Sequence, residues 1–282
     1  MLAAIDVVPV NVTLAREPKL GIVIPSKNKN DLLFTCIDSI VHTTNYQNYK
    51  IYIADTGSDA PVLEEIIQRY GHLKHIIELI KFNHYHFAGI NNLVIKHMMD
   101  LDTELVLCCN NDIKMLNDAI SLMVGTYLNN QVNVGTVGAR LHYEDGTLQH
   151  LGMCFTGRPN NPLSHFMIRQ PFVRSDYSGS VGKVYGNTAA FMLMARDLFI
   201  DIGGYNEGYE ECYEDAELNL KLASFGKTNL LPLDAVCYHY ESKSRREFKQ
   251  ENYMTRNDHE RISAFLHRNQ AVLNQYLPPS TL

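Results

Sequence analysis

Two acidic elements carry the chemistry that this chain of 282 residues can offer. Glu214-Asp215, inside Cys-Tyr-Glu-Asp-Ala-Glu-Leu-Asn-Leu-Lys-Leu, sets a carboxylate pair at the start of a helical pattern. Cys108-Cys109-Asn110-Asn111-Asp112 ends an apolar run abruptly in metal-competent side chains. A strand that ends in Asp and a helix that begins with Glu-Asp can supply, in one cleft, a ligand for a divalent cation and a general base. Plainer readings stand beside both. Acids at a helix start favour the positive end of its dipole, and Asn-Asn-Asp after a buried strand suits an Asx turn.

The elements that must position these residues follow a repeating plan. From Leu20 onward short β-rich runs alternate with helical runs, the pattern of a mostly parallel sheet covered by helices. Residues 20–25 predict a first strand. Asp31 can cap a helix in which Leu32, Leu33, Cys36, Ile37, Ile40 and Val41 recur with helical period, and 50–54 returns as a strand. Asp59 and Pro61 open a second helix that Gly71 is placed to end. Strands at 76–81 and 104–109 and helices at 89–99 and 117–128 complete a half that reads as a nucleotide-binding α/β layer. Further on, 134–143 and 184–195 read as strands. Residues 157–182, rich in Pro, Gly, Ser, Arg and Asn without periodicity, read as a binding loop or lid. Ile262, Phe265, Leu266, Leu273 and Tyr276 predict an appended helix that Pro278-Pro279 stops. The division expected is a catalytic unit over 1–245 and a C-terminal helical extension over 246–282.

This plan puts Pro25-Ser26-Lys27-Asn28 just beyond the first strand, where open α/β sheets bind ligands outside the carboxyl ends of their strands. The polar side chains and backbone of that turn can meet a nucleotide base and ribose. Asp55, before Thr56-Gly57-Ser58-Asp59, ends the second strand and equally suits a helix cap with a tight turn. Lysine and arginine number 25 against 31 acidic residues, and a net charge of -6 argues against general affinity for nucleic acid. The six cysteines have no paired metal-knuckle spacing and read as reduced, mostly buried thiols. The start lacks a basic leader, and no run of about 18 apolar residues occurs. The expectation is a soluble protein of the cytoplasm, or one attached peripherally at the inner face of the cytoplasmic membrane.

Taken in order, Gly-Ile-Val-Ile-Pro-Ser-Lys-Asn-Lys-Asn-Asp-Leu-Leu, Ile-Tyr-Ile-Ala-Asp-Thr-Gly-Ser-Asp, Phe-Ala-Gly-Ile-Asn-Asn, Cys-Asn-Asn-Asp, Asp-Gly-Thr-Leu-Gln-His-Leu-Gly, Gly-Gly-Tyr-Asn-Glu, the Glu-Asp segment and His-Tyr-Glu-Ser-Lys-Ser-Arg resemble the family 2 glycosyltransferases. The resemblance runs from about Leu20 to Arg245 and is nearest to the rhamnosyltransferase-like branch that builds bacterial surface polysaccharides. It implies a GT-A fold, with a Rossmann-like nucleotide-binding half and an acceptor-binding half, and inversion at the anomeric carbon. It implies Mn²⁺ or Mg²⁺, a nucleoside diphosphate sugar donor (dTDP or UDP) and a glycan or lipid-linked glycan acceptor.

Residue by residue, the resemblance assigns the metal to Asp112, with His239 as second ligand, though a lone His is more often structural. Asn110 and Asn111 depart from the commoner Asp-x-Asp, so fewer charges should weaken metal binding without nucleotide. Asp55 accepts from the imide N–H of uracil or thymine; Pro25, Ser26, Asn28, Ser58 and Asn91 belong to the nucleotide side. Lys243 and Arg245 neutralise the diphosphate or form a solvated basic patch. Asp215 is the general base, and Glu214 orients the acceptor or supports Asp215. Tyr205, Asn206, Tyr209 and Tyr213 shape the acceptor site or simply pack. Thr188-Ala189-Ala190, where Thr-Gly-Ala is commoner, leaves the donor-sugar pocket open. The favoured transfer is rhamnose from dTDP-rhamnose, otherwise a sugar from UDP. The alternatives are a sugar nucleotidyltransferase, for which Pro-Ser-Lys-Asn-Lys-Asn is a poor triphosphate loop, and a non-catalytic glycan-binding domain.

Overall fold

The computed structural model describes residues 13–158, 161–173, 181–240 and 255–276. Strand β1 (Leu20–Ser26) is buried along its whole length. It reads Leu-Gly-Ile-Val-Ile-Pro-Ser because a central parallel strand has both faces covered and needs no alternation. It pairs in parallel with β2 (Tyr49–Asp55) on one side and β4 (Leu105–Cys109) on the other, Ile22 lying opposite both Ile51 and Leu107. Strand β3 (Ile77–Lys81) extends the sheet beyond β2. The ladder between β1 and β4 runs only to Val23 opposite Cys108, so Pro25, which has no N–H to give, sits past its end. The chain winds from β1 to β3 in one direction and returns to β4 on the other side of β1. The topological switch point therefore lies at the carboxyl ends of β1 and β4.

Successive β1 side chains alternate between two cores. Ile22 and Ile24 pack with Leu33, Ile37 and Ile40 of α1 (Asn30–Thr43) and with Ile120 and Met123 of α4 (Ala119–Asn130). Val23 faces Val94, Ile95, Phe199 and Leu222 on the other side. Helix α2 (Ala60–Tyr70) ends where expected, at Gly71, but in right-handed backbone. Helix α3 (Phe87–Leu93) continues into a π-helical turn over Val94–Met98. Asp31 does not cap α1. It lies in the first turn, and Lys29 holds the cap position.

The second half departs from the sequence reading in its strands. The run at 134–143 breaks at Ala139 into β6 (Val134–Gly138) and β7 (Arg140–His142), which belong to different sheets. The main eight-stranded sheet has the order β11-β13-β6-β12-β4-β1-β2-β3, with β11 (Val181–Val184), β12 (Phe191–Ala195) and β13 (Thr228–Pro232). A second, four-stranded sheet joins β5 (Ile113–Met115), β14 (Val236–His239), β7 and β8 (Leu148–His150). The fully buried Arg140 pins the crossing, its Nε donating to Leu233 O at 3.0 Å. The run at 184–195 is likewise interrupted by a turn before β12.

The segment 157–182 is not irregular throughout. Strands β9 (Met153–Arg158) and β10 (Asn161–His165) form an antiparallel hairpin, with Ser164 opposite Cys154 and His165 opposite Met153. Leu163 is buried with Met153, Tyr209 and Tyr213, and Phe166, Met167 and Phe172 pack beneath β8. The pattern escaped the sequence because one partner strand lies upstream and the apolar positions are few and split by Pro and Asn. Helices α5 (Arg196–Asp201) and α6 (Glu214–Ser224) follow β12, and α7 (Arg256–Tyr276) packs on α6 through Ile262, Phe265 and Leu266. No helix among the described residues is long and apolar enough to cross a membrane.

Candidate active site

The strand ends gather the residues singled out in the sequence. At the end of β1, Ser26 O accepts the Thr56 N–H at 2.9 Å, and Ser26 Oγ accepts from Asn111 Nδ2 at 3.1 Å. Asp55, buried at the end of β2, accepts from the N–H groups of Gly57 and Ser58 at 3.2–3.3 Å. This is an Asx turn, a form of the tight turn that the sequence allowed at Asp55, and the φ of +98° at Gly57 is what glycine supplies there. Asn28, left-handed at φ 50°, donates its N–H to Ser58 Oγ at 3.0 Å and accepts the Asp59 N–H at 2.8 Å. Turns 25–28 and 55–59 are thus clasped into one rigid edge beside the switch point.

The turn after β4 is bound on the other side. Asp112 Oδ1 lies 3.1 Å from His239 Nε2, and Asn110 Nδ2 lies 3.4 Å from the same nitrogen. His239 is the last residue of β14, where it pairs with Ile113 of β5. Its Nδ1 is 2.7 Å from Gln149 Oε1, an atom that can only accept. The proton therefore sits on Nδ1, and in the neutral ring the Nε2 lone pair is turned to Asp112. A carboxylate oxygen and an imidazole nitrogen, the latter oriented by a second partner, are a donor pair that fits Mn²⁺ or Mg²⁺. Among the described residues no group of three or more His, Cys, Asp or Glu is placed to hold a metal. The pair would leave the remaining positions to donor phosphates and water. The cysteines nearby are unsuited to ligation: burial pushes the Cys108 thiol up to about 12 and raises Cys109 well above the ordinary range, packed 3.6 Å from Cys36.

Asp215 stands half-buried in the first turn of α6. Its Oδ2 accepts the Ala189 N–H at 2.9 Å, and its Oδ1 accepts the Ala216 N–H at 2.7 Å. The next carbonyl along, Ala190 O, accepts the Asn110 N–H at 2.9 Å. A single peptide segment therefore links the carboxylate of α6 to the Asn110–Asp112 turn. Ala189 is not among the described residues with positive φ, so the methyl that departs from the commoner glycine is accommodated. Tyr213, just before α6, is left-handed at φ 75°, a conformation that costs about 1–3 kcal/mol in a non-glycine residue and persists only when its surroundings enforce it. Glu214 is half-buried beside Asp215.

Below Asp215 lies a polar network that the sequence did not announce. Asn219 Nδ2 donates to Asp215 O at 2.7 Å and to Asn187 O at 2.8 Å. Thr136 Oγ1 donates to Asn219 Oδ1 at 2.7 Å, and Asn187 Nδ2 donates to Thr136 Oγ1 at 3.0 Å. All three residues are fully buried. Only the tertiary fold shows that the asparagine at 219 lies inside. Gln149 was within reach of the sequence, since it lies in a quoted motif.

Other predicted residues stand apart. Asn91 is fully buried in α3, its Nδ2 donating to Phe87 O at 2.9 Å. Tyr205 and Tyr209 are buried and turn their hydroxyls inward, to Cys108 Sγ and to Glu217 Oε2 at 2.7 Å, and Asn206 also binds Glu217. His86 caps α3 by accepting from the Gly89 N–H. Lys243 and Arg245 lie outside the described residues.

A model of the family described as "Glycosyl transferase family 2" matches residues 21–203, more than half of the chain. A relative from Myxococcus xanthus, called "O-antigen biosynthesis protein RfbC", is 28% identical over 235 residues, 81% of this chain. The chain spans 18% of that relative's length. A crystal structure of GalNAc-T7 with UDP, GalNAc and Mn²⁺ superposes with a TM-score of 0.70 at 11% identity, over 91% of this chain and 50% of that one. The mannosyltransferase PcManGT from Pyrobaculum calidifontis, in complex with GDP-Man and Mn²⁺, gives 0.58 at 13% identity, over 98% and 76%. At such identities the likeness is one of fold, and the fold is the expected GT-A arrangement.

Proposed function

The chain belongs to glycosyl transferase family 2, and from that premise we propose that it transfers one sugar from a nucleoside diphosphate donor to a hydroxyl of a growing cell-surface glycan, inverting the anomeric centre. The observation that carries this is the link from Asp215 through the Ala189 N–H and the Ala190 carbonyl to Asn110. It sets a proton acceptor beside the turn that suits a metal–diphosphate. Asp215 takes the proton from the attacking hydroxyl as the new bond forms. Its two oxygens are held by backbone N–H groups, so the carboxylate is aimed before substrate arrives. The clasped turns 25–28 and 55–59 grip the base and ribose, with Asp55 toward an imide N–H.

Asp112 and His239 would hold Mn²⁺ or Mg²⁺, a reading supported by the Mn²⁺ present with GalNAc-T7 and PcManGT. A bound divalent cation supplies charge neutralisation for the departing diphosphate. Lys243 and Arg245 are assigned to the same anionic group. Rhamnose from dTDP-rhamnose is the favoured donor on the resemblance of the motifs, and a UDP-sugar is the second choice; the relative named for O-antigen biosynthesis supports a surface glycan as the product.

A thermal-shift screen of dTDP, UDP and GDP sugars with and without Mn²⁺ identifies the donor, because a ligand that binds only the native state raises Tm. Turnover is then measured for wild type and Asp215→Asn, which keeps shape and removes the proton acceptor. The expected loss falls on kcat by about 10²–10⁴-fold with donor affinity nearly unchanged. Near-normal turnover in Asp215→Asn, or NMR of a product with retained configuration, would overturn the mechanism.

A further inference from the structure

Helix α7 was expected as an appendage, yet its first turn carries a fully buried carboxylate. Asp258 Oδ1 accepts the Glu210 N–H at 2.8 Å, and its Oδ2 accepts the Glu211 N–H at 3.1 Å. The Asp258 N–H in turn donates to Thr255 Oγ1 at 3.1 Å, one half of a capping box, so the carboxylate is fixed by its own helix start. A buried carboxylate is tolerated only where its lone pairs are filled, and charge-assisted bonds to N–H groups are the strong kind. Asp258 fills its lone pairs from the loop that leads into α6.

The neighbours of Asp258 hold the same loop. Asn257 Nδ2 donates to Glu210 Oε1 at 2.9 Å, and the His259 ring meets Tyr213 edge-on with centroids 5.5 Å apart. The Arg261 guanidinium packs on Gly208, where any Cβ would come within 2.5 Å of it. Tyr213 is the left-handed residue that sets the direction of α6, two residues before Asp215. Its conformation is enforced from one side by the Ala189–Asp215 bond and from the other by this turn of α7.

We infer that Asp258 is a positioning residue for transfer: with the first turn of α7 it clamps residues 208–213 and holds Asp215 at the angle from which it meets the acceptor hydroxyl. The inference rests on Asp215 being the base. It makes α7 part of the acceptor half of the site, and not an extension of it.

The test compares Asp258→Asn, whose amide nitrogen cannot accept from Glu210 or Glu211, with Met123→Ala, a packing change in the core that α1 and α4 share, away from α6. Turnover with the screened donor and titration of UDP or dTDP with Mn²⁺ are both measured below the melting range. Asp258→Asn is expected to lower kcat roughly 10-fold to 10²-fold, with nucleotide affinity within about twofold. Met123→Ala is expected to lower Tm as much or more while keeping kcat. Wild-type kcat in Asp258→Asn, or equal kcat losses in the two variants at matched Tm loss, would overturn the clamp. Hydrogen exchange on the wild-type protein decides independently of any variant's folding: slow exchange at Glu210 and Glu211 is expected, and exchange at free-peptide rates would overturn it. Asp215→Asn run in parallel separates the two readings. Its retaining turnover sinks the base and the clamp together, whereas its loss beside an unimpaired Asp258→Asn sinks the clamp alone.

Discussion

Gln149 decides what His239 can do. Because its Oε1 accepts the Nδ1–H hydrogen bond, the imidazole presents Nε2 to Asp112, and without that acceptor either nitrogen could carry the proton. Asp112→Ala should therefore abolish the enhancement of nucleotide binding by Mn²⁺ while leaving the fold intact, since Asp112 sits at a strand end. Gln149→Met, similar in length but with only a weakly accepting sulfur in place of the amide oxygen, should weaken that enhancement by about 10–100-fold. Titration calorimetry with UDP or dTDP and Mn²⁺ reads both. An unchanged metal effect in Asp112→Ala removes Asp112 from the site, and an unchanged one in Gln149→Met removes the orienting role. At this scale the sequence was informative where chemistry is local: Asp112, Asp215 and Asp55 stand at strand or helix ends that periodicity alone locates. It placed Gln149 in a motif but gave no role to it or to Asn219, whose partners lie in other elements.

Elements explain both that success and the misreadings. The first half was legible because each parallel strand is a continuous apolar run bounded by a helix signal, as in β1 and β2. The second half switches between two sheets at Ala139 and folds back in a hairpin at β9–β10, and neither event leaves a period in the chain. The four-stranded sheet also carries an acid sensitivity. His142 of β7 is held by burial from an ordinary value of 6.5 down to about 4, and its Nδ1 donates to Gly146 O at 2.8 Å. Its pKa in the folded state lies below that of the unfolded chain, so between pH 6.5 and about 4 the unfolded chain binds the extra proton. Stability should fall as pH falls through that window and be fully present above it. Melting curves across this range should be steeper in pH for wild type than for His142→Gln, which keeps a side-chain donor and cannot titrate. Parallel curves for the two proteins would show that His142 does not contribute.

Across the whole molecule, the question is where the catalytic unit ends. The sequence reading put a boundary after Arg245, where the family resemblance ends, and took the helical pattern beyond it as appended. What no local signal revealed is that α7 returns to the body. Ile262 is fully buried against Tyr209 and Tyr213 of the preceding loop and against Ala216 and Leu220 of the helix that begins with Glu214-Asp215. If α7 is part of one cooperative core, Ile262→Ala removes buried methyl groups and opens a cavity under α6. The cost is about 2–5 kcal/mol, or roughly 3–8 °C in Tm for a chain of this size. The whole unfolding transition should move, and calorimetry and near-ultraviolet dichroism of the buried tyrosines should report the same midpoint. An independent extension behaves otherwise: α7 melts early, and the main transition stays where it was. A two-step melt in which Ile262→Ala shifts only the first step would restore the boundary at 245 and leave α6 to be held by the sheet alone.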